Sequence, residues 1–210
     1  MPTTVAAFYT SDMPDAIIET TLDICNSIGF ETENVAERQS EVDGVQFHNI
    51  NVPFNGWDLN LKFNLNNDRD PAEPPLSIGL GKRIDPSYVS EDATYQRRMD
   101  VIFELVCRVA SALNADYAPV FITPGVSVRP ETAQVTDSVE DVPYIGVYTK
   151  AILDDLGVVD GLGTPSPWYT AELDDGRIVV IPSAEPWTEG GWEPPITADF
   201  LASAEFNRDS

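Results

Sequence analysis

Lysine is nearly missing from this chain. Only Lys62, Lys82 and Lys150 occur among 210 residues, and the basic residues total 12 against 35 acids, for a net charge of −23. Phosphate backbones are neutralised by clustered Lys and Arg, so nucleic acid is not an expected partner. Histidine occurs once, at His48, too few for a histidine-rich metal centre, and no GxSxG elbow accompanies it. The two cysteines, Cys25 and Cys107, form no CxxC and cannot build a disulfide framework. Both fall on or beside the apolar sides of predicted helices, where buried, reduced thiols are expected. No apolar run approaches the roughly 18 residues of a membrane span, and residues 1–10 have neither the basic nor the long apolar region of a signal peptide. A cytoplasmic chain off the membrane is expected.

What is abundant is acid: 20 Asp and 15 Glu, spread as 18 over residues 1–115 and 17 over residues 116–210. In dilute buffer such a surface repels itself. At molar salt the Debye length is about 3 Å and the repulsion is screened. Val, Ile, Leu and Phe number 20, 14, 13 and 9, well above the level at which charged chains stay disordered. A folded core under an acidic surface with very little lysine resembles the cytoplasmic proteins of salt-accumulating halophiles such as haloarchaea. An acidic protein shaped for a basic partner, or a nucleic-acid mimic, is the alternative reading of the same charge.

The pattern along residues 1–115 predicts β-α-β-β-β-β-α. A strand over 5–10 leads to a helix that Ser11 or Asp12 can cap, with Pro14 in its first turn and Gly29 at its end. Its wet side carries Asp15, Glu19 and Asp23 at i, i+4, i+8, where like charges cost about 0.2–0.5 kcal/mol per pair. Val45, Phe47, Ile50 and Val52 suggest a strand with an irregularity between Phe47 and Ile50. Strict alternation from Trp57 to Leu65 gives the clearest half-buried strand, and Asn55-Gly56 and Asp43-Gly44 read as hairpin turns. Residues 76–84 are a further strand in which Gly79 and Gly81 permit a bulge. A long helix over 91–114 buries Tyr95, Met99, Ile102, Phe103, Val106 and Leu113 and sets Glu104 four residues before Arg108.

Residues 116–210 are less regular. An extended stretch over 117–128 and a polar connection over 128–142 precede a short helix expected from Pro143 to Gly157. A hairpin follows around Asp174-Asp175-Gly176, then a Pro-, Gly- and Trp-rich loop over 184–195. A last short helix, capped by Thr197, is expected through Phe200, Leu201 and Phe206. The fold class is therefore α+β: an antiparallel sheet with two helices packed on it, then a half with a short helix and a β-hairpin. The chain divides into 1–115 and 116–210, or forms one continuous domain.

Chemistry is sparse. Gly79-Leu80-Gly81-Lys82-Arg83 fails the phosphate-loop pattern because Leu76 and Arg83 stand where Gly and Ser or Thr are needed. The acid pairs Asp68/Asp70, Glu91/Asp92, Asp154/Asp155 and Asp174/Asp175 match no EF-hand spacing, and no metal or cofactor is expected. His48, beside Phe47 in a strand, reads as structural. Two surface candidates remain. Lys82, Arg83, Arg97 and Arg98 form a basic patch if they converge, suited to a carboxylate or phosphate. Trp187 and Trp192, among Glu185, Glu189 and Glu193, can anchor a protein partner or plug the end of the sheet.

The segment LNADYAPVF at 113–121, set between an α+β half and an aromatic, Gly/Pro-rich second half, is similar to immunity proteins of polymorphic toxin systems. That resemblance implies a non-enzymatic protein-binding module and carries over no catalytic residue. The competing function is an enzyme acting on a small anionic metabolite through carboxylates and the Lys/Arg patch.

Overall fold

The computed structural model describes residues 3–10, 16–42, 44–54, 57–66, 73–81, 93–123, 143–155, 167–185 and 187–207. Ten antiparallel strands form one sheet: β1 (Thr3–Phe8), β2 (Ala36–Val42), β3 (Val45–Phe54), β4 (Trp57–Asn64), β5 (Leu76–Gly81), β6 (Tyr117–Thr123), β7 (Ile145–Tyr148), β8 (Tyr169–Leu173), β9 (Ile178–Ile181) and β10 (Leu201–Phe206). Their spatial order is β10-β8-β9-β7-β6-β1-β5-β4-β3-β2. Helices α1 (Ile17–Ser27), α2 (Ala93–Ala112) and α3 (Lys150–Asp155) complete the α+β fold.

Period-two alternation divides the side chains between two faces. On one face Ala6, Phe8, Ile50, Val52, Leu59, Leu61, Phe63, Leu76 and Ile78 are buried in a core shared with Met99, Ile102, Phe103, Val106 and Leu113 of α2 and with Ile17 and Cys25 of α1. α1 begins at Ile17 after Ala16, which has φ 54° and makes no side-chain cap; Ser11, Asp12, Pro14 and Asp15 lie outside the described residues. Gly29, at φ 97°, follows the helix as expected. α2 ends at Ala112 and Asn114 turns the chain at φ 49°.

The opposite face has two halves. Under β1, β6, β7 and β9 it is apolar: Ala7, Tyr9, Tyr117, Tyr148 and Val180 are buried together with Leu153 of α3. Tyr117 stacks on Tyr9 and on Tyr148, with ring centres 5.9 and 5.0 Å apart. Burial raises all three phenols far above their ordinary range. Under β2 to β5 the same face carries Arg38, Ser40, Asn49, Asn51, Asp58, Asn60, Lys62 and Ser77, all exposed or half-buried.

Three expectations are corrected. β3 pairs with both neighbours without a shift between Phe47 and Ile50. The change of phase is a change of face: Phe47 lies on the polar side under the Lys62 ammonium, 3.7 Å from its ring centre. Ile145, Val147 and Tyr148 belong to a strand, with the helix starting only at Lys150. All four residues of β7 are buried because both faces are covered there, so no alternation marks it. The C-terminal segment is strand β10, not a helix. Its register against β8 shifts between Leu201 and Ser203, and this extra residue breaks the period-two alternation that would have marked a strand. The irregularity expected near Gly79 and Gly81 is present: Thr4 faces Gly81 while Val5 faces Gly79, leaving Leu80 as the additional residue. The hairpin β8–β9 turns through Gly176 at φ 86°, whereas Asp43, Asn55 and Gly56 lie outside the described residues.

Candidate functional site

The tryptophan loop is part of the core. Trp187 is 0 % and Trp192 2 % exposed, and their rings meet edge to face at 5.5 Å. Trp192 packs on Phe103, which also contacts Tyr169 and Phe200. The loop joins α2 in covering the core side of β8, since Phe103 of α2, Tyr169 of β8 and both tryptophans belong to one buried cluster. It is clamped to α2 from several positions. Trp192 Nε1 donates to Asp100 at 2.8 Å, Gln96 Nε2 donates to the Gly191 carbonyl at 2.9 Å, and Arg108 bridges Glu104 and Asp199 at 2.7 Å each. The Tyr169 hydroxyl adds a bond to the Pro195 carbonyl at 2.7 Å. The two rings therefore cannot serve as surface anchors in this fold, which corrects that expectation. Glu185, Glu189 and Glu193 remain exposed around them.

The basic patch is not brought together by what is described. Arg97 is exposed and Arg98 half-buried in the first turns of α2, while Lys82 and Arg83 lie outside the described residues. Both thiols are buried and free; burial pushes Cys25 up to about 12, and it raises Cys107 still further. Neither is a reactive thiolate at neutral pH.

One buried cation escaped the sequence reading. Arg177 is 8 % exposed. Its Nε donates to the Ala115 carbonyl at 2.8 Å and its Nη1 pairs with Asp175. The network ties the β8–β9 turn to the end of α2. Burial alone would raise the Asp175 carboxyl, but the Arg177 amide, the Ser111 hydroxyl and the guanidinium outweigh it and hold the group below its ordinary value. The signal available in sequence was Asp-Asp-Gly-Arg, read only as a turn.

On the polar half of the sheet face opposite α1 and α2, side chains of neighbouring strands are joined to one another. Asn60 Nδ2 donates to Asn51 Oδ1 at 2.7 Å and Asn49 Nδ2 to Ser40 Oγ at 2.8 Å. Gly79 sits close against Asn60, since a Cβ there would stand 3.4 Å from the Asn60 Cβ. These bonds link short polar side chains across β2, β3 and β4. At the far end of β2 and β3, a cleft of about 390 Å³ opens between Gln39, Glu41, Gln46, His48 and Leu65. His48 Nε2 lies 3.1 Å from Glu37 Oε2, and its ring meets Phe63 edge-on at 6.5 Å. His48 thus fills a place at the border of the core and joins one carboxylate. Among the described residues, no group of three or more His, Cys, Asp or Glu could hold a metal ion, and no helix is long and apolar enough to cross a membrane.

Neither a protein-family model nor a curated protein matches the chain. Among solved structures, the Pseudomonas aeruginosa T6SS protein PA0821 is similar at a TM-score of 0.45 and 8 % identity, over 86 % of this chain and 68 % of that one. At that identity no residue role passes from one chain to the other.

Proposed function

We propose that the chain is a non-enzymatic protein-binding module of a salt-rich cytoplasm. The observation that carries this reading is the polar face of β2 to β5, which no other described element covers. It is four strands wide, backed by a fully buried core, and set with amides already fixed by cross-strand bonds such as Asn60 to Asn51. A rigid face loses little side-chain freedom on docking, and that loss is a main cost of association. A net charge of −23 disfavours nucleic acid and favours a partner with basic groups. Exposed Glu185, Glu189 and Glu193 on the other side of the sheet add to the field, although at molar salt it reaches only about 3 Å. Contacts on the open face then have to supply the affinity. An immunity-type role, in which the partner is a toxin, is the narrower form of this proposal, and a haloarchaeal-type habitat accounts for the charge.

Affinity capture in about 2 M KCl tests it. Wild type, Asn51→Arg/Asn60→Arg on the open face, and Glu185→Lys/Glu189→Lys on the opposite side are compared. The reading predicts a partner retained by wild type and by the glutamate variant but lost by the asparagine variant. Equal retention by all three overturns it.

A further inference from the structure

Among the described residues β2 ends the sheet, with β3 as its one neighbour in the strand order. Its seven residues pair with β3 without a bulge, from Ala36 opposite Asn51 to Val42 opposite Val45, and include no proline. In an antiparallel pair every second residue turns both its N–H and its C=O away from its partner. β2 therefore presents a regular row of backbone donors and acceptors roughly 20 Å long. Six of its seven side chains are exposed, and Ser40 is half-buried.

Edges are commonly guarded by charge, and here the charges on the helix side have one sign. Glu37, which also meets His48 Nε2 at 3.1 Å, and Glu41 flank Gln39 on that face, while Arg38 lies on the other. A second copy is a poor occupant. Antiparallel pairing centred on Gln39 sets Glu37 opposite Glu41 twice, between chains that each carry −23. Like charges directly opposite one another destabilise a strand pair. A strand with Lys or Arg at alternate positions meets both carboxylates favourably, and the cleft beside Gln39 and Glu41 offers room for one of its side chains.

We propose that β2 is a docking edge on which an extended, basic segment of a partner protein pairs as an eleventh strand. Main-chain hydrogen bonds hold it and Glu37 and Glu41 select Lys or Arg at alternate positions. This rests on the protein-binding reading and names the chemistry of the partner.

The probes are three capped peptides, TKVKVKT, TEVEVET and TKPKPKT, added to the full chain in about 2 M KCl. Hydrogen exchange and titration are the readouts. TKVKVKT should slow amide exchange at residues 36–42. TEVEVET, with the wrong charge, and TKPKPKT, without the donors, should bind at least tenfold more weakly. Glu37→Lys/Glu41→Lys should reverse the order of the first two. Gln39→Pro and Ser40→Pro should differ, because only one of the two amides points outward and can be removed without breaking the β2–β3 ladder. Equal binding of both charges, no protection at 36–42, or protection that grows with protein concentration before any peptide is added would each overturn the proposal; the last outcome assigns the edge to a second copy. If Glu37→Lys/Glu41→Lys still captures the wild-type partner while the peptides fail, the edge falls and the protein-binding reading stands. If the peptides bind as expected but no partner depends on the open face, that reading falls instead.

Discussion

Trp187 and Trp192 sit in a loop whose composition suits recognition, yet their rings are buried in the core beside α2. The decisive contacts, Trp192 to Asp100 and Gln96 to Gly191, join residues more than 90 positions apart, which local pattern cannot reveal. Trp187→Ala should cost about 3–5 kcal/mol as a large-to-small core change, read by denaturant unfolding in about 2 M KCl. A loss below about 1 kcal/mol would mean the ring is not packed. Arg177 and Asp175 offer a second test at this scale. The folded Asp175 carboxyl is held below its ordinary value, so its share of stability is present above the ordinary carboxylate range and is lost as pH falls through the lowered folded value. The unfolding free energy should therefore fall more steeply from pH 5 to pH 2 in wild type than in Asp175→Asn. Parallel pH dependence in the two proteins would contradict the network.

At the scale of elements, legibility followed burial. β4 was fully readable because one face is wet and one dry, so Leu59, Leu61 and Phe63 alternate with Asp58, Asn60 and Lys62. α1 and α2 were readable for the same reason at helical period, down to the Glu104–Arg108 pair at 2.7 Å. β7 was not, because a strand buried on both faces has no alternation, and β10 was not, because its bulge rephases the apolar residues. The open face was visible only as the polar half of β4; that β2, β3 and β5 extend it depended on pairing register. The register makes a direct prediction. Phe63→Ala should cost about 3–5 kcal/mol, while Asn60→Ala, exposed on the other face, should change stability by less than about 1 kcal/mol. Comparable small losses would contradict the assignment of faces.

For the whole molecule, charge and sheet geometry point the same way. A surface carrying −23 is self-repelling in dilute buffer, so the melting temperature should rise as KCl goes from about 0.1 to 2 M. A flat or falling trend would remove the salt-rich habitat from the account. Among the described residues the sheet is asymmetric: α1, α2 and the tryptophan loop pack on one side, Leu153 of α3 packs on part of the other, and the polar half under β2 to β5 carries exposed side chains. The central claim is that this polar half is where a partner docks. Hydrogen exchange of the chain, free and bound to the partner captured in high salt, measures it most directly. The account predicts slowed exchange concentrated in residues 36–64, with α2 and residues 187–200 unchanged. Protection centred on α2 and the tryptophan loop, with 36–64 unaffected, would contradict it.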